Sequence, residues 1–327
     1  MKALQVVKYG EIKDSLSFNE VSQPSVQADD VLIEVKAAAI NPIDKSIILG
    51  GLESMIPIPF PSTIAYDVSG IVVEKGANVS DLEIGDLVYS RVPQEQMGTV
   101  AEYVSVTSKA VSKKPGNITF EEAASIPLAG LTAMQSLEYA GIKAKDKVLI
   151  HAGSGGVGSF AIQYAKAKGA YVYTTTSTAN VEWVKELGAD RVIDYKTEDY
   201  RTIVKDADIV FDTLGQAYSS EAFQVIKQGG KVVSVAGPLD EETAKMFGMT
   251  DYKLPADVAM LCSAKEASYK FIFMHPSGAD LGEIRSMIED EKIKPIIDKV
   301  YSFSESIEAI THLASGRAKG KIVIKIN

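Results

Sequence analysis

The segment that most restricts the fold of this chain is the apolar run Lys147-Val-Leu-Ile150, followed at once by His151-Ala-Gly-Ser-Gly-Gly-Val-Gly158. Beyond it, Val157, Phe160, Ala161, Tyr164 and Ala165 recur at helical spacing as far as Gly169, and a second strand-like run occupies 170–176. Strand, glycine turn, helix and strand make a βαβ unit, which requires parallel strands and so excludes an all-helical or wholly antiparallel fold here. The first glycine permits the tight turn, the second lets a pyrophosphate approach the backbone, and the third brings helix and strand together. Free N–H groups at the helix start then face an anion. Gly153, Ser154, Gly155, Gly156, Val157 and Gly158 are therefore expected to hold a dinucleotide phosphate.

The alternation continues. Strands are predicted at 147–151, 170–176, 191–194, 208–213 and 231–236, with helices after the first, second and fourth, the pattern of a parallel sheet covered on both faces. The first hundred or so residues read differently, as short β-branched runs (31–37, 63–73, 86–92, 100–106) separated by turn residues, an antiparallel and barrel-like pattern. Thr119 and Glu122 form a capping-box pair for a helix, and Leu131 to Tyr139 reads as another. After an irregular stretch at 239–260 come a strand at 271–273, helices near 279–292 and 304–314, and a last strand at 321–326.

A chain of 327 residues suits two domains rather than one core. Its 46% apolar and 24% charged residues are those of a water-soluble globular protein, and no run is long enough to span a membrane. The first ten residues read as a strand rather than a signal peptide, so a cytoplasmic setting is expected. A net charge of -9 without a basic cluster argues against nucleic acid as a partner. The single Cys262 excludes an internal disulfide and a multi-cysteine zinc lobe, and His151, His275 and His312 lack paired ligand spacing. His151 reads as a packed core histidine.

Several motifs together resemble the medium-chain dehydrogenase/reductase superfamily, in its zinc-independent quinone oxidoreductase and enone reductase branch. They are Ala39-Ile-Asn-Pro-Ile-Asp44, Asp67-Val-Ser-Gly70, Gly85-Asp86, Pro127-Leu-Ala-Gly-Leu-Thr-Ala133, the glycine turn, Leu187-Gly-Ala-Asp190 with Asp194-Tyr195, Phe273-Met-His-Pro276 and Gly316-Arg-Ala-Lys-Gly-Lys321. The resemblance implies an α/β fold in which a doubly wound Rossmann sheet is inserted into a GroES-like β-barrel catalytic domain. Residues 1–120 would form the catalytic domain, 121–265 the dinucleotide-binding domain, and 266–327 a segment returning to the catalytic domain. It also implies a homodimer.

Zinc enzymes of this superfamily hold their metal with a cysteine, a histidine followed by an acid, and a later cysteine or acid. Here Asn41 stands in the cysteine's place and Tyr66-Asp67 in that of the His-acid pair, so neither catalytic nor structural zinc is expected. Without that Lewis acid, the plausible acceptors are those that take hydride unaided, a quinone or an α,β-unsaturated carbonyl. Asn41 resembles the family asparagine facing nicotinamide and substrate, and reads either as a donor to the acceptor oxygen or as an Asn-Pro turn. Thr132 resembles the threonine beside the nicotinamide or is a helix-start hydroxyl, and Tyr66 is a donor or a wall of the site.

NAD-binding units carry Asp or Glu about 20 residues past the glycine turn. This chain has Thr174-Thr-Thr176-Ser177-Thr178 there, which favours NADPH. The resemblance adds Thr176, Ser177, Tyr195, Ala236 and Phe273 to the cofactor-binding set, and Asn180 stands where the family carries a lysine against the 2′-phosphate. The function expected is an NADPH-dependent, zinc-independent reductase of a small quinone or enone. Two alternatives remain: an NADPH-binding protein of structural, sensory or nucleic-acid-binding duty, or a zinc alcohol dehydrogenase.

Overall fold

In the computed structural model, which describes residues 1–326, the chain divides into two units. One comprises residues 1–131, 275–291 and the described part of 295–327, and the other 132–274 with 292–294.

The first unit is organised by Asp30–Ile40, an eleven-residue strand rich in Val, Ile and Ala that is buried along nearly its whole length. Strands buried on both faces carry continuous apolar runs of this kind. Its first half pairs antiparallel with Tyr103–Thr107 and its last four residues with Lys321–Lys325, while Asp67–Lys75 runs antiparallel along its other edge. The full order is Ile297–Ser302, Lys321–Lys325, Asp30–Ile40, Asp67–Lys75, Leu87–Arg91, Val111–Lys113. Two register shifts between Asp30–Ile40 and Asp67–Lys75 bend the pair, as bulges do. A smaller sheet, Leu16–Glu20, Lys2–Val6 and Ser62–Thr63, lies in the same unit. Leu4, Val6, Ile40, Ile64, Ile310, Ile322 and Ile324 pack into one core cluster, so both chain ends contribute to it.

Two strand registers position the polar residues of this unit. Ile322 pairs with Ile40, and Ala39 pairs with Asp67. Together they bring Lys321, Asn41 and Asp67 to one end of three neighbouring strands, although they are far apart in sequence.

The second unit is a six-stranded sheet in the order Arg191–Asp194, Tyr171–Thr176, Lys147–Ile150, Ala207–Asp212, Ile226–Ser234, Ser268–Phe271, with every neighbouring pair parallel. This is the 3-2-1-4-5-6 order of a doubly wound dinucleotide fold, with its switch point at the end of Lys147–Ile150. Leu149, Ile193, Val210, Phe223 and Val232 are central to its core cluster.

The helix after the glycine turn, Gly156–Ala167, buries Phe160, Ala161, Tyr164 and Ala165 as its spacing predicts, while Val157 stays partly exposed. Thr119 and Glu122 close their capping box over Phe120–Ala124, each side chain accepting from the other's backbone N–H. Some boundaries differ from those the sequence pattern predicts. The helix expected from Leu131 begins at Pro127, because a proline's missing N–H costs nothing in a first turn. The strand expected from 231 begins at Ile226 and carries Gly229-Gly230 through a pairing irregularity. The strand expected at 271–273 is Ser268–Phe271, and the helix expected to reach 292 ends at Glu289. Among the described residues, no helix is long and apolar enough to cross a membrane.

Candidate active site

In the first unit, a polar cluster sits inside otherwise apolar strand ends. Asn41, Asp44, Tyr66, Asp67, Arg91 and Lys321 are all buried, the most exposed being Lys321 at 7%. Asn41 precedes the helix Pro42–Ile48, and Asp44 Oδ2 accepts the Asn41 backbone N–H at 2.7 Å, satisfying a donor at the helix start. The Asn41 side chain is held at both ends. Nδ2 donates to Asp67 Oδ2 at 2.9 Å, and Oδ1 accepts from Lys321 Nζ. Lys321 Nζ also lies 3.0 Å from Asp67 Oδ2 and 3.3 Å from Ile40 O, while Asp67 Oδ1 accepts the Leu128 N–H at 2.8 Å.

Arg91, next to this group, donates to Val92 O and lies with its guanidinium 4.5 Å from the Tyr66 ring centroid, a cation–π contact. Burial pulls the Arg91 pKa down from its ordinary value, against the opposing pull of Tyr66, Asp67 and Asp44. Burial also pushes Tyr66 well above the usual phenol range, with the Asp44 charge adding to it, so Tyr66 stays a phenol and a donor at neutral pH. Asp44 is pushed up to about 7 by burial, with Asp67 adding and the Asn41 N–H, Lys321 and Arg91 opposing. Tyr66 Oη, Asp44 Oδ1 and Arg91 Nε are buried without a hydrogen-bond partner.

In the second unit, the glycine turn has the geometry of a phosphate cradle. Gly155 is the N-cap of Gly156–Ala167, and the N–H groups of Gly156, Val157 and Gly158 form the first turn, where no intrahelical acceptor exists. A Cβ on Gly153 would stand 2.2 Å from Thr174 Oγ1, and one on Gly158 2.3 Å from Ala152 O, so these two glycines are required by packing. A Cβ on Gly155 would meet nothing closer than 3.5 Å, so the backbone there is open to a ligand. Ser154 on the same turn is half-buried.

Thr176, Ser177, Asn180 and Tyr195 come together at the end of the second strand. The Tyr195 N–H donates to Thr176 O at 3.1 Å, and the Asn180 N–H donates to Ser177 O at 2.8 Å. Asn180 Nδ2 also donates to Ser177 Oγ and its Oδ1 accepts from Trp183 Nε1, while Tyr195 is exposed and Thr176 Oγ1 is buried without a partner. Asp194 pairs in register with Thr176, so a carboxylate does stand beside this strand end. Its carboxyl is held below the usual range first by the Thr178 hydroxyl, at this same strand end, and then by the Lys196 N–H and Thr197 of its own turn. Ala236 and Phe273 follow the last two strands at the same end of the sheet, and Phe273 packs edge-on against Phe247 at 5.1 Å. Thr132 is buried and lies inside Pro127–Tyr139 rather than at its start.

His151 is fully buried, with Nδ1 3.4 Å from Thr175 Oγ1 and its ring edge-on to Tyr200 and Tyr218. Burial pulls its pKa down to about 4, against the charge of Asp212, so it is neutral at pH 7.

Sequence reasoning found Asn41 and Tyr66 but missed Lys321 and Arg91 as their partners and saw Asp67 only as part of a motif. The available signal was a charged residue opening or closing an apolar strand, as in Lys321-Ile-Val-Ile and Asp67-Val-Ser-Gly.

Residues 27–116 match the family described as an alcohol dehydrogenase GroES-like domain, and residues 187–324 match the one described as zinc-binding dehydrogenase. The chain is 35% identical to the 2-methylene-furan-3-one reductase of Solanum lycopersicum over 99% of its own length and 79% of that protein. It is 34% identical to a chloroplastic NADPH-dependent alkenal/one oxidoreductase of Arabidopsis thaliana, over the same shares of the two chains. A solved structure of the quinone oxidoreductase from Coxiella burnetii matches with a TM-score of 0.88 and 32% identity, covering 100% of this chain and 99% of that one. The chain belongs to the medium-chain dehydrogenase/reductase superfamily, with its Rossmann and GroES-like parts. Within it, the chain falls in the quinone and enone oxidoreductase branch and is an oxidoreductase of that type.

Proposed function

We propose that this protein is an NADPH-dependent, zinc-independent reductase that transfers hydride to a quinone or to the β carbon of an α,β-unsaturated carbonyl. The observation that carries this reading is the donor set at Asn41, Asp67 and Lys321. It offers no thiolate or imidazole, and its oxygens already surround an ammonium. A site of that composition does not fit the zinc that the name of one matching family implies, and reversible alcohol oxidation by the zinc enzymes of this superfamily relies on the metal to lower the hydroxyl pKa. Relatives named for an enone, an alkenal/one and a quinone support the acceptor class.

The glycine turn fits a dinucleotide, with first-turn N–H groups free and an open Gly155 backbone. NADPH held there would supply a hydride, and the acceptor would gain that hydride together with one proton drawn from solvent. The protein's part is to bind and to stabilise the oxygen on which charge develops. Asn41 and Tyr66 are the donors proposed for that role, and Thr132, in the second unit, is proposed to contact the nicotinamide ring region. Tyr66 is supported by its retained proton and unpartnered hydroxyl, and Asn41 by an amide whose orientation is fixed at both ends. The preference for NADPH over NADH is supported by the hydroxyl-lined strand end, where the Asp194 carboxyl is already engaged by Thr178, Lys196 and Thr197. Asn180 supplies no cation there, and a charge-assisted contact is worth about 1.5–3 kcal/mol, so the preference is moderate.

The test is NADPH and NADH oxidation measured side by side at 340 nm against a quinone and an enone, with bound zinc quantified. The expected result is turnover with at least one acceptor class, about tenfold or more better with NADPH. Saturable NADPH binding without turnover on either class would refute the reading and favour a binding role. Turnover that requires stoichiometric zinc would refute the metal-free part.

A further inference from the structure

The ammonium of Lys321 is coordinated much as a small cation would be. Its acceptors are Ile40 O, Asn41 Oδ1 and Asp67 Oδ2, and three acceptors use all three of its N–H donors. The carboxylate opposite is equally committed. Asp67 is fully buried and accepts from Leu128 N, Asn41 Nδ2 and Lys321 Nζ. A buried ion pair offsets its desolvation only when its remaining hydrogen-bonding capacity is met, as it is here.

This cation stands at Asn41 and beside Tyr66-Asp67, the positions where, by the resemblance set out above, the zinc enzymes of the superfamily hold their metal. A divalent ion cannot share the position. It would face a fixed ammonium at contact distance and would find only hard oxygen donors, a poor set for zinc. The lysine is delivered there by strand register alone, because Ile322 pairs with Ile40 and so sets Lys321 beside Asn41.

We propose that Lys321 is the protein's built-in cation: its ammonium fixes the Asn41 amide, with Oδ1 toward the lysine and Nδ2 toward Asp67, and closes this position to divalent metal. Lys321 is thus a positioning residue acting through Asn41, and this part rests on the reductase reading above. Exclusion of metal stands apart from it. Asp67 and Asn41 are left as oxygen donors around a vacated cation position once the ammonium is removed, and that position should then accept a divalent ion.

The experiment uses the full chain as wild type, Lys321→Met, which keeps the side-chain length but removes the charge, and Lys321→Arg, which keeps the charge. Each is dialysed against Mn²⁺ or Mg²⁺, the divalent ions that oxygen donors suit, and its metal content measured, with kcat and KM for NADPH determined in parallel. Wild type and Lys321→Arg should retain no metal, and Lys321→Met should retain about one equivalent that is lost again in Lys321→Met/Asp67→Asn. In Lys321→Met, kcat should fall about tenfold or more while KM for NADPH stays within about twofold, and Lys321→Arg should recover part of kcat. Stoichiometric metal in wild type overturns the proposal, as does a folded Lys321→Met that takes no metal. An unchanged kcat in Lys321→Met overturns the positioning role alone. If Lys321→Met does not fold, metal in wild type or Lys321→Arg still refutes the proposal, and a metal-free Lys321→Arg with partial kcat supports it. Metal content is read without substrate, so a wrong acceptor class cannot imitate any of these results.

Discussion

Asp44→Asn isolates the effect of a carboxyl buried beside an ion pair. Burial raises the Asp44 pKa from 3.8 to about 7, so the folded protein favours the protonated form from acid pH up to about neutrality. The stabilisation from a raised carboxyl is fully present below the ordinary pKa and is lost as pH rises toward 7. At about 1.4 kcal/mol per pH unit, wild type should lose about 3 kcal/mol from this group between pH 5 and pH 8. An asparagine is shaped like the protonated acid, and its amide oxygen can still accept the Asn41 N–H that Asp44 Oδ2 accepts. The loss should therefore be absent in the variant.

His151 acts in the opposite direction. Its pKa is lowered to about 4 by burial, so its contribution is present above the ordinary histidine value of 6.5 and is lost as pH falls toward 4. Between about pH 4 and 6.5 the two slopes nearly cancel in wild type, and Asp44→Asn uncovers the histidine's. The assay is urea unfolding of both proteins at pH 5 and pH 8, with the difference between them followed rather than either absolute value. The variant should gain on wild type by about 3 kcal/mol from the lower pH to the higher. If the two proteins track each other across that range, or the difference moves the other way, burial does not hold a proton on Asp44 and the reasoning fails.

Two further substitutions separate packing from binding. Gly158→Ala sets a Cβ 2.3 Å from Ala152 O and 2.9 Å from Gly153 Cα. Backbone cannot yield to it, so denaturant unfolding should show a loss of about 1–3 kcal/mol. Gly155→Ala has ordinary φ of -84° and an unobstructed Cβ, so stability should hold within about 0.5 kcal/mol while NADPH affinity, read by Trp183 fluorescence, falls about tenfold. An unchanged NADPH affinity there would remove the phosphate from this turn. Tyr66→Phe deletes a buried hydroxyl that has no partner, so stability should stay level or rise by about 1 kcal/mol while kcat falls about tenfold or more. Lost stability with kcat unchanged would make Tyr66 a packing residue.

Local features were legible in the sequence because they depend on neighbours within one turn or one strand. The βαβ unit, the Thr119–Glu122 box and the helix face of Phe160 and Tyr164 are of this kind. Strand onset at Ile226 was not legible, since Gly229-Gly230 interrupts the apolar pattern that would have marked it. The polar cluster divides along the same line. Asp44 reaches Asn41 across three residues, within a motif that can be read directly, whereas Lys321 reaches Asn41 across 280. Only the antiparallel register of the last strand makes that second contact, and no periodicity encodes a register between distant strands. A one-residue slip would turn Lys321 to the other face and leave Asp67 buried without its cation. The register that closes the apolar core around Ile322 and Ile324 is therefore the same one that seats the ammonium, so the first unit cannot complete its core without also setting the orientation of Asn41.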